Sequence, residues 1–121
     1  GVVIMTVANE EGNYSLTGDA RIAVDWLNNG VDTRFDGLSG QRNDESIGSV
    51  SGTLSMINAT LTGNGFSGGM LSRSGTIFAT DDDSRTLDLA GQFFGPNADE
   101  VGGVFVLNAN DLNVRAVFAA E

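Results

Sequence analysis

The chain has no cysteine and no histidine. Without cysteine there are no disulfides and no thiolate metal sites. Without histidine the commonest general base and the commonest transition-metal ligand are both missing. Lysine is absent too. The six basic residues are all arginine, at Arg21, Arg34, Arg42, Arg73, Arg85 and Arg115, and they face 16 carboxylates for a net charge of -10. Such a surface repels phosphate, which argues against nucleic-acid partners and against anionic membranes. Proline, tryptophan and tyrosine occur once each. No apolar run approaches the ~20 residues of a membrane-spanning helix. Val2-Val3-Ile4-Met5 is too short for a signal-peptide core and has no basic lead. The chain starts at Gly1 without an initiator methionine. We read it as one domain over residues 1–121, mature or excised, with its first segment open to trimming.

What the sequence does have is alternation of period two, the mark of half-buried strands. Ala20, Ile22, Val24 and Trp26 share one face, and Arg21, Ala23 and Asp25 the other. Asn29-Gly30 is a hairpin signal. Val31, Thr33 and Phe35 then alternate with Asp32, Arg34 and Asp36. Residues 39–49 read as a polar loop. Strand signals resume from Val50 to Leu61, with a phase slip near Met56-Ile57 that marks a bulge or two short strands. Phe66, Gly68 and Met70 form the next inner phase, and Thr76 to Thr80 another short strand. Asp81-Asp82-Asp83-Ser84 reads as an acidic turn. Leu87 to Phe93, Val101 to Leu107 and Val114 to Ala119 complete about eight strands, beside a further one at Val2 to Ala8. Short, evenly spaced strands with Gly-rich turns fit a sandwich or a meander barrel. Outward-phase residues are Arg, Asp, Ser and Thr, and aromatic girdles are lacking, so the apolar face looks inward as in a small soluble barrel and not into a bilayer.

Residues 91–105 read Gly-Gln-Phe-Phe-Gly-Pro-Asn-Ala-Asp-Glu-Val-Gly-Gly-Val-Phe. This resembles the closing hairpin of the transferrin-binding protein B family barrel, with its Gly-x-Phe-Tyr/Phe-Gly-Pro-x-Ala-x-Glu-x-Gly-Gly-x-Phe pattern. Upstream, Ala20 to Trp26 resembles the family's alternating strand, and Ile57 to Gly68 its following strand and turn. Val114 to Ala120 resembles the terminal strand, with Ala116 and Ala119 where the family has glycine. The resemblance covers roughly residues 14–120. It implies an all-β fold, an eight-stranded antiparallel up-and-down barrel. It also implies a Gram-negative surface lipoprotein, outer-membrane-anchored or secreted, whose relatives carry a second handle domain that this chain lacks. The motif itself reads as architectural. Gly95-Pro96 breaks the strand after Phe93 and Phe94. Asp99-Glu100 fall in the hairpin loop, Gly102-Gly103 allow a close approach or a bulge, and Phe93 and Phe105 point inward. Gly91 opens the run.

Enzymatic candidates are scarce. A nucleophilic serine or threonine needs a base, and no histidine supplies one. We read the chain as non-catalytic and without a cofactor. Haem ligation would fall to Tyr14 or to Met5, Met56 and Met70. Met56 and Met70 read as core filling and Tyr14 as a strand-end aromatic. Asp81, Asp82 and Asp83 cluster oxygen ligands but lack the spaced series and distal Glu of a calcium loop. For a protein partner, the acidic loops offer Arg42, Asp44, Glu45, Asp99 and Glu100, with Arg42 the candidate anchor. The expected role is binding of a host protein or nutrient carrier, or scaffolding for a handle domain. The resemblance further implies an outer-membrane translocator that reads the barrel. The alternatives are a carrier of haem or a small apolar ligand, and a structural or adhesive surface domain.

Overall fold

The computed structural model describes residues 1–80 and 85–121. Ten strands follow in order: β1 Val2–Asn9, β2 Gly12–Asp25, β3 Gly30–Arg42, β4 Glu45–Ser49, β5 Thr53–Thr62, β6 Gly65–Ser67, β7 Met70–Ser74, β8 Thr86–Phe94, β9 Glu100–Asn108 and β10 Asn113–Ala120. Every pairing is antiparallel. β6 and β7 both run along β5 and act as one strand broken at Gly68-Gly69. β4 is a short flap on the end of β3. The remaining walls follow in chain order, and β1 lies between β2 and β10, so the sheet closes on itself. The fold is an eight-stranded up-and-down barrel, and closure removes most free sheet edges.

Alternation drives this closure. Val3, Met5 and Val7 point inward from β1, as do Leu89, Phe93, Phe105, Leu107, Val114 and Phe118 from β8, β9 and β10. Burying each such side chain contributes roughly 1.5–3 kcal/mol. The large rings form one chain through the interior. Phe93 meets Phe66 at 5.5 Å between centroids, Phe66 meets Phe118 at 6.4 Å, Phe118 meets Phe35 at 5.3 Å, and Phe35 meets Phe105 at 6.2 Å. The barrel is filled by side chains.

Two bulges re-phase the wall. Opposite β2, β3 carries an extra residue at Gly37, whose φ of 60° is left-handed and suits glycine. The bulge turns both Phe35 and Leu38 inward, although they are three apart. On β5 the expected slip is a bulge and not a break. Asn58 takes a φ of 60°, and its N–H donates to Asp32 Oδ1 at 2.8 Å. Met56 and Ala59 are both buried as a result.

Several expectations need correction. Residues 39–49 are a hairpin and not a loop. Asn43 and Asp44, at φ 50° and 68°, make a tight turn, and Arg42 pairs with Glu45. Both faces of this flap are largely wet, so no alternation marks it. β2 begins at Gly12, well before Ala20, with Tyr14 and Leu16 already buried. Thr76–Phe78 is a 3₁₀ turn and not a strand. Its Ile77 and Phe78 are buried at one barrel end. Arg73 holds it by donating to Phe78 O, and Asn9 Nδ2 donates to Ile77 O at 3.2 Å. Met70 lies past the Gly68-Gly69 break and is exposed, not core. Trp26 does not continue the inner face of Ala20, because β2 ends at Asp25 and the indole lies at the barrel mouth, 56% exposed. Glu100 opens β9 and is not in the preceding loop. The acidic turn Asp81-Asp82-Asp83-Ser84 lies outside the described residues.

Candidate functional site

The barrel has two unlike ends. At the first lie the β1–β2 turn, the β3–β4 turn and the 3₁₀ turn. Tyr14 pairs across the ladder with Arg42. The Tyr14 ring is buried in the core, and its hydroxyl donates to Glu11 Oε2 at 3.1 Å. The same oxygen lies 3.9 Å from Arg42 Nη1. Asn43 locks the two turns together: its N–H donates to Asn13 O at 2.8 Å, and its Oδ1 accepts from Asn13 N at 3.0 Å. Four of the candidate residues, Tyr14, Arg42, Asp44 and Glu45, therefore belong to one corner. The ion pair there is exposed on both sides and is worth little on its own.

Asp99 and Glu100 lie at the opposite end, beside the β2–β3 turn. Here Trp26 rests on Phe93, with ring centroids 5.5 Å apart. Leu27 next to it is 91% exposed. A cleft of about 390 Å³ opens at this mouth, lined by Ile22, Val24, Trp26, Phe93, Val101 and the acidic pair among others. Asp25, on the same turn, accepts from Asn28 Nδ2 at 2.8 Å and from the Asn28 backbone at 3.2 Å. The side-chain bond first, and the backbone bond second, hold its carboxyl below the ordinary value. Among the described residues no arginine lines this cleft. Sequence reasoning placed Trp26 in the wall and so missed it as a surface group. The hairpin signal at Asn29-Gly30 was the available hint that Trp26 stands where the strand ends.

The motif residues gather behind this mouth. Gly91 and Gly103 are ladder partners. The Phe66 ring lies against Gly91 and the Phe118 ring against Gly103, where a Cβ would stand. Gly103 serves close approach, Gly102 does not, and no bulge interrupts the ladder there. β8 ends at Phe94, and Gly95 then takes a φ of 89° before Pro96. Phe93 and Phe105 are buried, whereas Phe94 points out, 48% exposed.

The outer wall beside the mouth departs from expectation. Val2, Ile4, Val104 and Val117 are exposed. Ile4 pairs with Val117, and Val117 with Val104, so they form one apolar face across β1, β10 and β9. Around these four residues the strands are apolar on both sides, and the polar outer phase read for the barrel does not hold here. No metal candidate emerges: among the described residues no three carboxylates gather closely enough to hold an ion.

Residues 3–121 match the family described as the C-lobe and N-lobe beta barrels of Tf-binding protein B. The chain belongs to that family. Solved structures of the Tf-binding protein B type share its fold. Intact Ap-TbpB, with N and C lobes, superposes at a TM-score of 0.64 with 24% identity, over 100% of this chain and 25% of that one. The vaccine antigen TbpB of Haemophilus parasuis Hp5, in a mutant form, gives 0.61 and 23% over 99% and 25%. Isotype 1 TbpB from serogroup B Neisseria meningitidis gives 0.55 and 21% over 100% and 23%. This barrel thus spans about a quarter of the solved chains that it matches. No curated protein sequence matches it.

Proposed function

We propose that this Tf-binding protein B barrel is a non-catalytic protein-binding domain, displayed on or released from the surface of a Gram-negative bacterium, whose partner is a host protein or nutrient carrier. One observation carries the reading: the interior is closed by packed rings, while Trp26 and Leu27 stand exposed on a loop at the barrel mouth. Exposed aromatic anchors on a rigid support suit protein recognition. The filled interior disfavours a carrier of haem or of a small apolar ligand. The test is biolayer interferometry of the domain against host serum proteins, transferrin in iron-loaded and iron-free forms among them. Saturable binding that weakens in Trp26→Ala supports the reading. Silence across the panel from a folded domain counts against it.

The apolar outer wall supports a second reading, that the barrel is a scaffold for a neighbouring handle domain of a longer protein. An exposed apolar face of this kind usually marks an interaction surface. The barrel would also suit recognition by an outer-membrane translocator, which needs a fold and no active site. Normal surface display of a parent protein with the barrel deleted would sink that idea.

A further inference from the structure

The mouth beside Trp26 joins two chemistries. Its floor is apolar: Ile22, Val24, Phe93 and Val101, with the Trp26 ring as one wall. Its rim is anionic, carrying Asp99, Glu100 and Glu121. Among the described residues the acidic rim forms no ion pair. The ion pairs of the described residues are Arg21 and Arg34 with Asp36, and Arg42 with Glu11, and none involves Asp99 or Glu100. The cleft holds about 390 Å³.

We propose that this cleft is an anchor pocket for a basic side chain of a partner protein, an arginine or lysine flanked by an apolar residue. The proposal rests on the protein-binding reading and names the partner's chemistry at that site. An arginine or lysine has an apolar stem and a charged head. The stem lies along Val24 and Phe93, the head reaches Asp99 and Glu100, and the indole face offers a cation–π contact. The apolar neighbour fills the remaining floor. The net charge of -10 draws such a partner in. An acidic or purely polar segment would leave the floor wet and the rim repelled. A purely apolar segment would leave the rim carboxylates without partners.

Trp26 is the sole tryptophan, so its fluorescence reports the cleft directly. The 121-residue domain is titrated with an acetylated, amidated tetrapeptide of sequence Phe-Arg-Leu-Arg. Controls replace both arginines with glutamine or with glutamate. The expected result is a saturable change with the arginine peptide alone, reduced by added salt. Removing the rim charge in Asp99→Asn/Glu100→Gln should weaken it by about tenfold, the size of one good charged contact. Asp44→Asn, at the opposite end, should leave it unchanged. Circular dichroism checks that each variant is folded, and Glu100→Gln alone serves if Asp99→Asn disturbs the turn. Equal binding of the glutamine peptide, or no saturable change at millimolar peptide, overturns the proposal. So does equal weakening by Asp44→Asn. If the peptide binds and no serum protein does, the pocket stands and the host-protein reading falls. If a serum protein binds and the rim variant leaves its affinity unchanged, the reading stands and the pocket falls.

Discussion

Gly91 and Gly103 face each other across the β8–β9 ladder, each beneath a phenylalanine ring. A methyl group at Gly103 would stand 2.5 Å from Ala90 O and 2.9 Å from Gly91 Cα, against backbone that cannot step aside. At Gly91 the obstacle is the Phe66 ring, a side chain and not backbone. Both substitutions overpack the core, which costs about 1–3 kcal/mol. Gly103→Ala should therefore destabilise more than Gly91→Ala. Urea unfolding of the two variants checks the order, and the reverse order would refute this account of the glycines.

Thr33 gives the opposite prediction. Its side chain is buried, and among the described residues its hydroxyl has no hydrogen-bond partner. An unmade bond in a core costs about 1–3 kcal/mol. Thr33→Val keeps the shape and removes the orphan, so it should raise stability by about 1 kcal/mol. Thermal unfolding decides it. A loss of stability would mean that the hydroxyl has a partner, such as a buried water.

These two cases show what was legible. The barrel could be read because inner-phase residues such as Val31, Phe35 and Val114 alternate with polar neighbours such as Asp32, Arg34 and Arg115. It was harder to read wherever both faces share one character. The flap at Glu45–Ser49 is wet on both sides, so it looked like a loop. β1 and β10 are apolar on both sides around Val2, Ile4 and Val117, so that exposed wall could not be told from core. Trp26 was misplaced because periodicity does not say where a strand stops. The partner-binding candidates divide between two ends, Arg42, Asp44 and Glu45 at one and Asp99 and Glu100 at the other. Only pairing in space reveals that split.

The haem question has a direct answer by titration. Tyr14 is buried with its hydroxyl bound to Glu11, Met5 and Met56 lie in the core, and the rings of Phe35, Phe66 and Phe118 occupy the interior. Hemin added to the purified domain should give no saturable one-to-one change in visible absorption. A change lost in Tyr14→Phe would overturn the filled-barrel argument.

Asp25 supplies a pH test. Its carboxyl is held below the ordinary value by the Asn28 side chain and then the Asn28 backbone. A lowered folded-state value adds stability above the unfolded-state value, and that gain is lost as pH falls through the folded-state value. Asn28→Ala should therefore be slightly less stable than the parent at neutral pH. The gap should narrow in acid, below the ordinary carboxylate range. The Asp25 carboxyl resonance followed by NMR should titrate at higher pH in the variant. An unmoved titration would remove Asn28 as the cause.

The pairing of β1 with β10 carries a consequence in time. Val3 is the ladder partner of Phe118, so the first strand waits for the last. Contacts so distant along the chain make closure slow and dependent on long-range order. A polypeptide still emerging from a ribosome or a secretion pore holds β1 with only one of its two neighbours. The barrel can form hairpin by hairpin, but it becomes a barrel only after release of its final strand, and until then the chain stays open enough to be threaded.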